Sequence, residues 1–371
     1  MMKRIVLWVL LAACLLPGGL ACRQQAGPPV AEVPAYSGAH PYPAAEWQRI
    51  RQPDSVGYAP DMLQQLRTYI IDSTNTTGLM VVLNGKVLYE YGDVEEVSYL
   101  ASCRKSILAM LYGKYVHNGQ IDLNKTVAEL GLEEDDGLLP LERQATVEHL
   151  ITARSGIYHP ASNGGDNSAD APPRGSQQPG TYFLYNNWDF NAAGEAFERM
   201  TGKNLYDALE QDLARPLGMQ DFDRQAQRKL GDSTRSRYLA YHIWLSTRDM
   251  ARIGYLMLRR GNWAGQQLIP AEWVDRITSV VTPLEEMNPE GYRKGHFGYG
   301  YMWWVWDGPR AVGPFEGAYA ARGYYGQYIA VFPALDMVIA HKTKAAYQRH
   351  TSWRMFQGIY ERILAARIPN T

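Results

Sequence analysis

The sequence is poor in cysteine: of its three, Cys14 and Cys22 fall near the amino terminus and only Cys103 lies beyond it. No disulfide can therefore form within the globular part, even in an oxidising compartment. An excess of either charge is also lacking, since 37 Lys and Arg meet 38 Asp and Glu for a formal net charge of −1. That balance offers nothing to a nucleic acid or another polyanion. The eight histidines are scattered, and neither an H-E-x-x-H motif nor a Cys/His cluster occurs, so no metal or cofactor is expected. Asp166 and Asp170 share a polar stretch, but their spacing does not match a calcium loop. A phosphate-cradling glycine loop and an internal repeat are missing as well.

What is present begins with MMKRIVLWVLLAACLLPGGLAC, a basic start followed by an apolar run too short to span a bilayer comfortably. Residues 1–22 thus read as a secretory signal. Cys22, between Leu20-Ala21 and Arg23-Gln24-Gln25, is placed as the lipidation cysteine of a bacterial lipoprotein, although Gly19 departs from the usual branched residue. Cys14 is the alternative, and would leave an apolar segment on the mature chain. The expectation is an exported envelope protein facing the periplasm, held to the membrane by a lipid anchor alone, or else cleaved to a soluble periplasmic form. Residues 23–45, rich in Pro, Ala and Gly, read as an extended tether. This leaves 46–368 as one domain, long enough to bury a large core.

Within that domain, MLQQLRTYI has helical spacing. The runs GLMVVLN and KVLYEY flank Asn84-Gly85, a pair suited to the positive φ values of a type I′ hairpin turn. From Ser102 to about Val281 the signals are mostly helical, with a stop at Asn118-Gly119, another at Gly156 after VEHLITARSG, and Pro270 at a favourable first helical position. Between Ile157 and Thr181 runs a long polar stretch that is expected to border the active site. After about Gly295 come FGYGYMWWVW, QYIAVFP and MVIAHKT as strands, then SWRMFQGIYERILAAR as a helix that packs on the sheet. The fold class expected is α+β: an antiparallel sheet flanked by helices, carrying a mostly helical subdomain at about 102–281.

Chemistry concentrates in ASCRKSILAMLYGKY. Ser102 and Lys105 stand at i and i+3 on one helical face, the spacing a nucleophile and its base need. At the start of a helix the Ser102 N–H is free to point at an oxyanion. The plain alternative is an N-cap serine beside a solvated lysine. Cys103 is read as a packing residue, because adjacent helix positions point about 100° apart. Downstream lie Tyr185-Asn186-Asn187 and Gly323-Tyr324-Tyr325-Gly326-Gln327. This succession of S-x-x-K, Y-x-N and a glycine-bearing turn resembles the serine β-lactamase and penicillin-binding protein superfamily, most closely its class C branch with related esterases, D-aminopeptidases and aminohexanoate oligomer hydrolases.

The resemblance implies a β-lactamase/transpeptidase-like fold and an acyl-enzyme on Ser102, with Lys105 taking or relaying its proton and Tyr185 serving as second base and acid. An adjacent Lys105 ammonium would stabilise a Tyr185 phenolate. Asn187 would face the substrate amide, or alternatively cap the helix starting near Trp188. In the third motif, relatives carry Lys or His where this chain has Tyr324, so a neutral hydroxyl replaces a cation. Gly326 would let the strand approach substrate, and the Gln327 N–H would be the second oxyanion donor. Arg322 could restore the charge, although a solvated arginine is the simpler expectation. Tyr299, Tyr301, Trp303, Trp304 and Trp306 could line an acyl pocket, with alternation sending half of them into the core. The substrate implied is a small-molecule or peptide ester or amide without an essential carboxylate. D,D-peptidase or β-lactamase action is the alternative, and a catalytically silent sensor is a rival of another class.

Overall fold

Asn84 and Gly85 take φ values of 49° and 75°, and this turn folds β1 (Gly78–Leu83) back on β2 (Lys86–Gly92). The computed structural model describes residues 40–368. The expected signal segment, Cys22 and most of the tether lie outside the described residues. From His40 on, the chain forms one compact unit. None of its described helices is long and apolar enough to cross a membrane.

The hairpin joins β3 (Phe297–Tyr299), β4 (Trp304–Trp306), β5 (Tyr319–Gly323), β6 (Gln327–Phe332) and β7 (Met337–Lys342) in a seven-stranded antiparallel sheet of order β2-β1-β7-β6-β5-β4-β3. Its centre unites the two ends of the domain, because Leu79 of β1 lies opposite His341 and Val81 opposite Ile339. β1, β6 and β7 are buried along their whole length, as strands covered on both faces should be. On one face α1 (Pro60–Ser73) pairs with the last helix, whose Phe356 packs on Tyr328 and His341. Alternation turns Ile329 and Val338 to the other face.

Between β2 and β3 the chain makes the helical subdomain: α2 (Cys103–His117), α3 (Val147–Ile151), α4 (Asn187–Thr201), α5 (Leu205–Leu209), α6 (Thr247–Leu258) and α7 (Ala271–Ile277), while α8 (Trp353–Ala365) closes the domain. α6 lies across β1, β6 and β7, and α2 reaches β5. Nearly every residue of α2 is buried, so it is a central helix and not an amphipathic surface one.

Three local expectations need correction. α3 ends at Ile151, well short of Gly156, because Ala153 turns the chain at φ 58°. FGYGYMWWVW is two strands, since Met302 at φ 60° folds Trp304 back opposite Tyr299. Pro270 is the N-cap of α7 and not its first helical residue.

Candidate active site

The approach to Ser102 is held from both sides. Ser98 and Tyr99 pair with Leu245 and Trp244, and the Leu100 N–H donates to the Ile243 carbonyl at 2.9 Å. Lys342, from β7, donates to the Ser98 carbonyl at 3.2 Å and also to that of Leu245. Ala101 then turns the chain at φ 48°, a left-handed conformation costing on the order of 1 kcal/mol for a residue with a Cβ, and α2 begins. Ser102 occupies the N-cap position but its side chain makes no capping bond, whereas Thr146, Asn186, Asn204, Ser246 and Ser352 all cap their helices. The hydroxyl faces Lys105, whose Nζ lies 3.1 Å from Ser102 Oγ. The plain reading of Ser102 as a structural cap thus fails on geometry.

Lys105 Nζ also lies 2.6 Å from the Tyr185 hydroxyl and 4.4 Å from the centre of the Phe190 ring. At 1% exposure it is no solvated lysine. Burial pushes its pKa well below the ordinary value, the Arg104 charge adds to the effect, and the Asp166 carboxylate opposes it. Burial pushes the Tyr185 phenol up, against a hydrogen bond with Ser102 that pulls the other way. Both shifts run in the direction that disfavours the charged form of each group. The sequence leaves the sharing of the proton between Lys105 and Tyr185 open, and burial of both groups works against charge on either.

Tyr185-Asn186-Asn187 enters α4. Asn186, and not Asn187, caps the helix by accepting from the Asp189 N–H at 3.0 Å. Asn187 is turned to the polar stretch: its amide nitrogen donates to the Gly164 carbonyl at 2.8 Å, and its N–H donates to Asp166 Oδ2 at 2.7 Å. Its Oδ1 is buried without a partner among the described residues. The polar stretch also reaches Tyr185, whose carbonyl accepts from the Asn167 N–H at 2.9 Å. It therefore borders the site, as its length predicts. Asp166 entered the sequence reading only as a failed calcium ligand, and nothing local marks a carboxylate some twenty residues before Tyr185 as its neighbour.

The third motif is placed differently from expectation. At Gly323, the last residue of β5, an added Cβ would lie 2.5 Å from the Leu100 carbonyl oxygen and 3.2 Å from the Ser102 nitrogen. Gly323 is thus the glycine that brings the sheet against the nucleophile. Gly326, at φ 95°, turns instead against Thr351 and Thr343. Gln327 lies one strand further away, opposite Gly323; it is fully buried and its side chain donates to the Thr343 carbonyl at 2.6 Å. Gly326 and Gln327 therefore lie away from Ser102, contrary to expectation, and Gly323 is the residue of this turn that lies against it. The Tyr324 side chain is 66% exposed and stacks near His350, so it does not replace a cation at the centre of the site.

Arg322 is half-buried rather than fully solvated. Its guanidinium sits among the rings of Phe297, Trp304 and Trp353, and burial lowers its pKa. Of the candidate pocket aromatics, Trp304 and Tyr299 pack on Tyr185 at ring distances of 5.5 and 6.1 Å. Trp303 is fully buried against Tyr319, Trp306 joins the core with Phe332 and Tyr360, and Tyr301 bonds Glu148 and Arg276. Cys103 is fully buried, donates to the Gln327 carbonyl at 3.2 Å, and has its thiol pKa raised by that burial. It faces away from the nucleophile's role.

Comparison with known proteins agrees with this fold. The family model described as beta-lactamase matches residues 70–357. A 6-aminohexanoate-dimer hydrolase from Paenarthrobacter ureafaciens is 26% identical over 307 residues, covering 76% of this chain and 74% of that protein. Among solved structures, a putative 6-aminohexanoate-dimer hydrolase from Bacillus anthracis superposes with a TM-score of 0.63 at 21% identity, over 88% of this chain and 89% of the other. A beta-lactamase from Mycobacterium bovis gives 0.57 at 20% identity, over 82% and 98% of the two chains. EstCE1, a hydrolase with promiscuous acyltransferase activity, gives 0.60 at 15% identity, over 82% and 97%.

Proposed function

Since the chain belongs to the beta-lactamase family, we propose that it is a serine hydrolase forming an acyl-enzyme on Ser102, acting on ester or amide bonds of small molecules or peptides. The observation that carries this reading is the position of Lys105 Nζ, 3.1 Å from Ser102 Oγ and 2.6 Å from the Tyr185 hydroxyl.

In this reading the neutral Lys105 amine takes the hydroxyl proton as Ser102 Oγ attacks the carbonyl carbon. The Tyr185 phenol gives its proton to the leaving group and regains one from the Lys105 ammonium. Water then attacks the acyl-enzyme with the same groups in reversed roles. The Ser102 N–H, which has no acceptor among the described residues, and the Tyr324 N–H that follows Gly323 receive the oxyanion. The open Asn187 Oδ1 accepts a hydrogen bond from the substrate. The leader supports export and a lipid anchor on Cys22 as parts of the same proposal.

Intact mass of the purified domain after exposure to a fluorophosphonate tests the reading. One adduct is expected in the wild type and none in Ser102→Ala. A separate exposure to penicillin sorts the substrate classes: rapid loss of its adduct indicates lactamase action, and persistence indicates a D,D-peptidase. If the fluorophosphonate leaves the wild type unmodified, the serine-hydrolase reading falls.

A further inference from the structure

The polar stretch ahead of Tyr185 is joined to the tyrosine motif along its length. The Asn163 side chain accepts from the Asn191 amide of α4 at 2.9 Å, and the Gly164 carbonyl accepts from the Asn187 side chain at 2.8 Å. Asp166 Oδ2 accepts from the Asn187 N–H at 2.7 Å, and the Asn167 N–H donates to the Tyr185 carbonyl at 2.9 Å. Asn187 is the first residue of α4, so its N–H has no acceptor within the helix, and a carboxylate placed there also meets the positive end of the helix dipole. The carboxylate is itself oriented, because Asp166 Oδ1 accepts from the Ser168 hydroxyl at 2.9 Å and from the Ser168 N–H at 3.3 Å.

We propose that Asp166 is a positioning residue for the reaction at Ser102, fixing through the Asn187 N–H the segment that holds the Tyr185 hydroxyl against Lys105. The proposal rests on the serine-hydrolase reading. The Asp166 charge also reaches the base. Lys105 Nζ lies among Ser102, Tyr185 and the Phe190 ring, with Arg104 and Cys103 beside it on α2. Burial and the Arg104 charge lower the Lys105 pKa, and the Asp166 carboxylate raises it. Cys103 acts in the same direction as Asp166 only when ionised, and burial keeps it a thiol, just as burial keeps Tyr185 a phenol. The Asp166 charge is felt in addition by Asp189 on α4 and by Tyr292 in the turn before β3. One carboxylate thus holds the tyrosine segment by a hydrogen bond and favours the lysine's ammonium by its charge.

The test follows, by intact mass, the rate at which a fluorophosphonate labels Ser102 as pH is varied. In the wild type the rate should fall on acidification as Lys105 gains its proton. Asp166→Asn keeps an acceptor for the Asn187 N–H and removes the charge. Its fall should move to lower pH, because the ammonium is less stable without the carboxylate and the free amine persists further into acid. Asp166→Glu keeps the charge and displaces the carboxylate, so the fall should stay near its wild-type pH while the plateau rate drops by roughly ten- to a hundredfold with the melting temperature retained. Asp170→Asn, which removes an exposed carboxylate of the same stretch, should change neither. A folded Asp166→Asn that titrates as the wild type does, or an Asp170→Asn that shifts as far, overturns the proposal while labelling of Ser102 stands. A full plateau rate in Asp166→Glu overturns it as well, and decides the matter if Asp166→Asn does not fold. Absence of labelling in the wild type removes the hydrolase reading and the proposal together.

Discussion

Lys105 and Tyr185 are buried against each other, and each can be altered without emptying its site. Lys105→Met keeps most of the volume and removes the base; kcat should fall by about 10²–10⁴ with the melting temperature preserved or raised. Tyr185→Phe keeps the ring contacts with Phe190 and Trp304 and removes the proton that passes to the leaving group, so a comparable loss is expected in steady-state turnover. Because the Lys105 pKa lies well below that of an ordinary lysine, activity should already be developed at neutral pH and decline on acidification as the amine gains its proton. The pairing of Ser102 with Lys105 was legible in the sequence because i and i+3 on a helix is a local fact. The protonation state of Tyr185 was not, because its burial is contributed by Phe190, Tyr299 and Trp304 from three separate segments.

At the scale of elements, the two glycines of ARGYYGQ differ in what they touch, and only Gly323 lies against Ser102. Gly323→Ala should cost about 10²–10³ in turnover and lower stability as well, because the added atom would lie 2.5 Å from the Leu100 carbonyl oxygen and push the strand end away from Ser102. Gly326→Ala should lower stability, because its φ of 95° is strained for a residue with a Cβ and the added atom would meet the Thr351 carbonyl at 2.7 Å. Kinetics and thermal melting on the two variants check the contrast. Which glycine approaches Ser102 was illegible because it depends on where β5 ends, and pairing with β4 and β6 sets that. The β1–β2 hairpin was legible for the opposite reason, since the positive φ values of Asn84 and Gly85 are a property of the turn itself. FGYGYMWWVW misled because a run of aromatics reads as one strand until the turn at Met302 is seen.

At the scale of the molecule, Lys342 ties the sheet to the segment before Ser102 and to the helical subdomain through the carbonyls of Ser98 and Leu245. Burial lowers its pKa to about 7. Between about pH 7 and the ordinary lysine value near 10.4, the unfolded chain holds a proton that the folded chain has released, so this group makes stability rise with pH across that window. Melting temperatures at pH 7 and 9 should show that rise in the wild type more steeply than in Lys342→Met.

The α+β class was legible in outline from helical signals set between two groups of strands, and the sheet order follows from pairing the two ends. That pairing has a consequence for how the activity comes into being. Ser102 and Lys105 are made early in the chain, but Gly323 and the strands that support it are made near its end. A growing chain therefore carries its nucleophile for more than two hundred residues without the surface that would make it reactive. Synthesis itself acts as the safety catch, and hydrolysis is switched on only when the carboxy-terminal strands close over a serine that has waited for them.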